Sequence, residues 1–288
     1  MLPHLLRPQR ASVRVGGFVS PDPVLEQSQS DLLQEHRRPR DKRGQTAGTA
    51  ACAGVQKDPG YLVTMRWYAR PEGDKQQLRV APRLASWNKA DHPDQVRLRA
   101  FLDDAEGLLA ASRVDGPWAL RLDVGLPIGR DLLDMADLDN YAYPLASQLE
   151  GPGLVSVWCT KQHSERSFVR IEPASEVPAP SADVLVARTT ASVETAAYKK
   201  QIHATVASAA ELPAGPVRLE LAFVVGPGRN WLNLWKPTID ALDPILGRSH
   251  PDRAWHPLDG RITELGMHLT VDPAVRHDVA VGIAAAPE

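Results

Sequence analysis

Apolar and polar positions along the chain fall into two regimes, one without a period and one with it. Residues 1–60 mix Pro, Gln, Ser, Arg and Gly, with a basic cluster at Arg37, Arg38, Arg40, Lys42 and Arg43. Such a composition buries too little apolar surface to offset its ordering entropy. Residues 1–64 are therefore expected to be disordered, or to precede a true start at Met65; a DNA-seeking basic tail is a third reading. Met65-Arg66-Trp67-Tyr68 opens the denser regime. Val96, Leu98, Phe101, Leu102, Ala105, Leu108 and Leu109 recur near 3.6 and predict a helix over 94–112, started by Pro93. Alternation of Trp118, Leu120, Leu122 and Val124 predicts a strand over 118–126. A helix follows over 139–149, with Pro144 expected in its first turn. Strands are expected over 153–160 and 167–172, joined by the charged run from Lys161 to Arg166.

Three prolines in 173–182 mark a linker, placed at 175–195. Beyond it the pattern predicts a helix over 198–210 and a strand over 217–225. A helix over 236–246, ended by Gly247, and strands over 261–271 and 278–283 complete it. The two stretches echo each other. Gly116-Pro117-Trp118-Ala119-Leu120-Arg121-Leu122 reads like Gly215-Pro216-Val217-Arg218-Leu219-Glu220-Leu221. Each copy has an apolar helix before the Gly-Pro, a strand after it, then a polar turn and a second helix. The alternation argues for an α/β or α+β fold in which sheet and helices pack as layers. The expected units are 65–174 and 196–288.

Composition narrows the function classes. Hydrophobic residues make up 43% and charged residues 24% of the 288, as in an ordinary globular protein. The net charge is −2, and the basic excess lies in the first 64 residues, so the body is acidic. That argues against tight, non-specific DNA binding, which depends on neutralising phosphates. Cys52 and Cys159 form no Cys-x-x-Cys, and no apolar run reaches the ~18 residues of a membrane span. A cytoplasmic location is expected.

The strongest chemical signal is Asp137-Leu138-Asp139-Asn140. Two carboxylates one residue apart can converge on a hard cation such as Mg²⁺, which activates water and offsets charge developing on a phosphate. The blander reading is an Asp-rich turn that merely caps a helix. The second copy reads Asn230-Trp231-Leu232-Asn233-Leu234-Trp235-Lys236, in which Lys236 can meet a phosphate or simply be a solvated helix residue. Asp259 in Asp259-Gly260 can add a carboxylate, or be an ordinary turn. Trp231 and Trp235 can stack bases, although such pairs more often belong to a core.

These residues bear a resemblance. Asn233, Leu234, Lys236, Asp240-Ala241-Leu242, Gly247 and Asp259-Gly260-Arg261-Ile262 resemble the RusA-type Holliday-junction resolvases, as do Tyr198-Lys199 in the preceding helix and Asp137, Asp139 and Asn140 in the first copy. That family consists of dimers of small α/β subunits that cut four-way DNA junctions with Mg²⁺ held by aspartates. The resemblance implies two tandem units of mixed sheet with helices, packed as a pseudo-dimer and working as a monomer on branched or duplex DNA. Asp137, Asp139 and Asp259 would hold the metal, Lys236 the phosphate, and Asn140, Asn233, Trp231 and Trp235 would meet the substrate. Departures are plain: Asn230 and Leu232 replace the aspartates in the second copy, and Tyr143 replaces the lysine in the first. The alternative is a catalytically silent relative acting as a nucleic-acid or protein interaction module.

Overall fold

The computed structural model describes residues 64–288 apart from 86–88, 113 and 181–182. The expectations for residues 1–60 lie outside the described residues. Strands β1 (Trp67–Tyr68) and β2 (Gln76–Gln77) precede helix α1 (Pro93–Leu109). Next come β3 (Trp118–Leu126), α2 (Leu138–Gln148), β4 (Leu154–His163), β5 (Phe168–Pro173), β6 (Glu176–Val177) and β7 (Leu185–Thr189). After α3 (Ala196–Val206) and β8 (Val217–Val225) stand α4 (Trp235–Asp240), α5 (Asp243–Leu246), β9 (Ile262–Val271) and β10 (Val279–Pro287). The fold is mixed α+β, as the alternation of elements implies.

One eight-stranded sheet runs β2-β5-β3-β4-β9-β8-β10-β7. In each half a Gly-Pro-led strand pairs parallel to one neighbour and antiparallel to the other: β3 with β4 and β5, β8 with β9 and β10. The register breaks at the same place in both parallel pairs, between Trp118 and Ala119 and between Val217 and Arg218. Trp118 stands opposite Pro173, and Val217 opposite Pro287. The halves meet where β4 pairs antiparallel with β9, with Trp158 opposite Gly266. A Cβ on Gly266 would lie 3.0 Å from the Trp158 ring, so glycine is what lets the indole lie across the junction.

Alternate strand residues make the core. Leu120, Leu122, Leu219, Leu221, Leu265 and Met267 are buried in one cluster with Phe101 of α1, Leu145 of α2, Ile202 of α3 and Trp235 of α4. The intervening residues carry charge in pairs. Asp123 accepts from Arg121 (2.7 Å), Arg170 (2.7 Å) and Thr160 (2.8 Å). Burial works against its ionised form, but these donors outweigh it and hold the carboxyl below the usual range.

Several local expectations change. Pro144 lies in the middle of α2, not in its first turn. It is tolerated there because the Asn140 carbonyl, which an N–H at 144 would have reached, accepts from the Ala85 backbone N–H at 2.8 Å. The helix expected over 236–246 is two short helices. Pro244 has no N–H for the Asp240 carbonyl and its ring crowds that group, so α4 ends at Asp240. Gly247 then ends α5 at φ +79°, as its position implies. The stretch read as linker contributes two strands: β6 pairs with β1, and β7 lies along β10.

Candidate metal centre

The turn before α2 and the turn before β9 meet at one end of the sheet. Asp137 precedes α2, Asp139 occupies its first turn, and Asp259 opens the 3-10 turn Asp259–Arg261. One carboxylate oxygen from each lies within 4.8 Å of the other two. Asp137 does not cap its helix with its side chain; the Asn140 amide donates to it at 3.2 Å instead. Asp139 is 3% exposed, and among the described residues it accepts no hydrogen bond.

Lys161 holds the two turns together, a role the sequence did not reveal. Only 4% exposed, its ammonium donates to the carbonyls of Met135 (2.9 Å), Ala136 (3.2 Å) and Gly260 (2.5 Å). Burial lowers its pKa to about 8, although Asp137 and Asp259 act in the other direction. Ala136 adopts φ +69°, a left-handed conformation that costs a non-glycine residue about 1–2 kcal/mol. Gly260 is needed for the close approach, since a Cβ there would lie 2.8 Å from the Asp134 backbone. Lys161 lies two residues before the end of β4, where the sequence shows only a charged run, and its partners are carbonyls that no side-chain pattern displays.

Lys236 bridges the cluster to α4. Its ammonium lies 2.8 Å from Asp259 and 3.1 Å from Asp240, and Lys199 pairs with Asp240 at 2.7 Å. Burial disfavours the Lys236 charge, but Asp139, Asp259 and Asp240 outweigh it and raise its pKa. Burial is also the main reason the Asp139 carboxyl is pushed up to about 7; Asp259, Asp137 and Asp240 add to it and Lys236 opposes. Asp137 moves up as well, through burial and then Asp259. A cleft of about 440 Å³ opens beside these groups, lined by Lys199, Lys236, Trp255, His256 and Asp259 among others. A larger cavity, about 830 Å³, opens beside Lys161 between Arg70, Arg121 and Arg130.

Asp137, Asp139, Asp259 and Lys236 thus come together. The residues expected to meet substrate do not all join them. Asn140 is engaged with Asp137. Asn233 is exposed but accepts from the Tyr143 hydroxyl at 3.1 Å. Trp231 (4% exposed) and Trp235 (1%) are a correction to the stacking role: both are buried. They pack ring to ring at 5.0 Å, Trp231 on Phe223 and Trp235 on Tyr143, so neither presents a face to a base.

A second polar chain has the connectivity of a hydrolytic triad. Ser156 Oγ lies 3.1 Å from His268 Nδ1, and His268 Nε2 lies 3.4 Å from Glu220. Ser156 and His268 are fully buried beneath Trp67, Tyr68 and Trp158, so the chain is part of the interior. Oxygen donors alone suit a hard divalent cation such as Mg²⁺, so the three carboxylates fit one. Among the described residues no helix is long and apolar enough to cross a membrane. Comparison with protein-family models and with curated proteins finds no match for this chain.

Proposed function

We propose that this chain is a tandem duplication of a RusA-like unit, folded as an intramolecular pseudo-dimer, and that it is a divergent Mg²⁺-dependent DNA junction endonuclease. It would act as a monomer in the cytoplasm on branched or duplex DNA. One observation carries the reading: two separate motifs place Asp137 and Asp139 from one half beside Lys236 and Asp259 from the other. The repeated strand order and register breaks support the duplication.

Asp137, Asp139 and Asp259 would hold the cation, which when bound supplies water activation and charge neutralisation at a phosphodiester. Asp139 must release its proton to serve as a ligand, so binding strengthens as pH rises through about 7. Lys236, kept charged by its neighbours, orients Asp259 and offers a point charge to a phosphate oxygen. Lys161 keeps the two turns in register, and Lys199 extends the positive side of the cleft.

The test is incision of a labelled four-way junction with and without Mg²⁺. The expected result is Mg²⁺-dependent cutting that Asp139→Asn abolishes while the circular dichroism of the variant matches the parent. Mg²⁺ at ~100 times its Kd should stabilise the parent by about 2.7 kcal/mol and the variant not at all. A parent that neither cuts nor gains stability overturns the proposal.

A second reading has its own observation. Lys236 already pairs with Asp259 and Asp240, which partly balances the cluster with no cation. The fold would then serve as a catalytically silent module binding nucleic acid or protein, and junction binding without incision would mark it.

A further inference from the structure

We infer that the molecule is one-sided: one chain holds one cation and cuts one strand each time it engages a junction. The inference rests on the nuclease reading above. The sheet repeats its order about the Trp158–Gly266 pair, so the centre has a counterpart at the opposite end. The sequence echo places Asn230 at the position of Asp137, Leu232 at that of Asp139, Asn233 at that of Asn140 and Tyr143 at that of Lys236. Gly151, three residues before β4, stands where Asp259 stands before β9.

That counterpart is filled by other contacts. Asn230 Oδ1 accepts from the Leu232 backbone N–H at 2.9 Å, as a local turn. Leu232 is 1% exposed and belongs to the core. The Tyr143 hydroxyl donates to Asn233, and its ring rests edge-on against Trp235. No carboxylate occupies any of the five positions. Among the described residues, Asp137, Asp139 and Asp259 are the one group of three ligating side chains close enough to share a cation. Buried Asp139, with no hydrogen-bond donor of its own, points into that group and not into the counterpart.

A four-way junction offers equivalent phosphodiesters on opposing strands. A single centre reaches one of them. Water adds across that bond: its oxygen joins phosphorus, one phosphorus–oxygen ester bond breaks, and the departing sugar oxygen takes up a proton. One strand is left with a phosphate monoester and a hydroxyl, and the opposing strand stays intact until a fresh encounter.

Two readouts on the full chain test this. Calorimetric titration with Mn²⁺ should count one site per chain, falling to none in Asp139→Asn and in Asp259→Asn. A junction labelled differently on its two opposing strands, in excess over protein, should yield junctions nicked once, with double incision no more frequent than two independent events. Two equal Mn²⁺ sites per chain, or paired cuts above that chance level, overturn the inference. A count of one Mn²⁺ with no incision on any strand overturns the nuclease reading itself and the single-incision claim with it.

Discussion

Burial is the main cost of ionising Asp139, and the two carboxylates within 4.8 Å of it add repulsion. Its pKa is about 7 in the folded chain against an ordinary 3.8. Between those values the folded state holds a proton that the unfolded state has lost. The contribution of Asp139 to metal-free stability therefore falls as pH rises from about 4 to about 7, while His268, whose pKa burial lowers, acts the other way below its ordinary 6.5. Asp137, also raised, acts in the same direction as Asp139. Asp104, Asp123 and Glu220 are shifted down, so the stability they contribute is lost only as pH drops below the ordinary carboxylate range, outside this window. Denaturant unfolding in a chelator should show the stability of the parent, relative to Asp139→Asn, declining over this window, the His268 contribution being common to both. That variant should be the more stable protein at pH 8, while the two converge near pH 4. An unchanged slope in the variant would place the titrating group elsewhere.

At the scale of elements, α2 carries the centre with a proline in its interior. Proline inside a helix ordinarily costs about 3 kcal/mol. Here the bond it forfeits is replaced, because Ala85 donates to the Asn140 carbonyl at 2.8 Å. Pro144→Ala should therefore change stability by less than about 1 kcal/mol, read from equilibrium unfolding; a gain near the full proline penalty would show that α2 is strained as it stands. The same element shows what the sequence displays and what it hides. The bounds of β3 and β8 are legible in the sequence, because each is an apolar-rich run led by Gly-Pro, alternating in β3 and almost wholly buried in β8. Asp137 and Asp139 stand out as a pair, and the repeat joins them to Lys236 and Asp259. The bond from Ala85 to Asn140, the break that Pro244 imposes after Asp240, and the three carbonyls gathered by Lys161 depend on backbone atoms brought from afar. No side-chain period carries those. Strand β7 was hidden for a different reason: a five-residue edge strand beside prolines has too few residues to show a period.

At the scale of the whole molecule, the sheet sets the two halves in antiparallel contact at Trp158 and Gly266, and that arrangement brings the turn of one half against the turn of the other. Neither half alone has the donor set: the first supplies Asp137 and Asp139, the second Asp259 and Lys236. Under the proposed function these three carboxylates hold one shared cation. Anomalous diffraction from crystals soaked in Mn²⁺ tests this most directly. The expected result is a single strong peak per chain, ligated by Asp137, Asp139 and Asp259, with the Lys236 ammonium beside it. A chain saturated with Mn²⁺ that shows no peak there, or shows its ion on other residues with Lys236 alone facing the carboxylates, would contradict it.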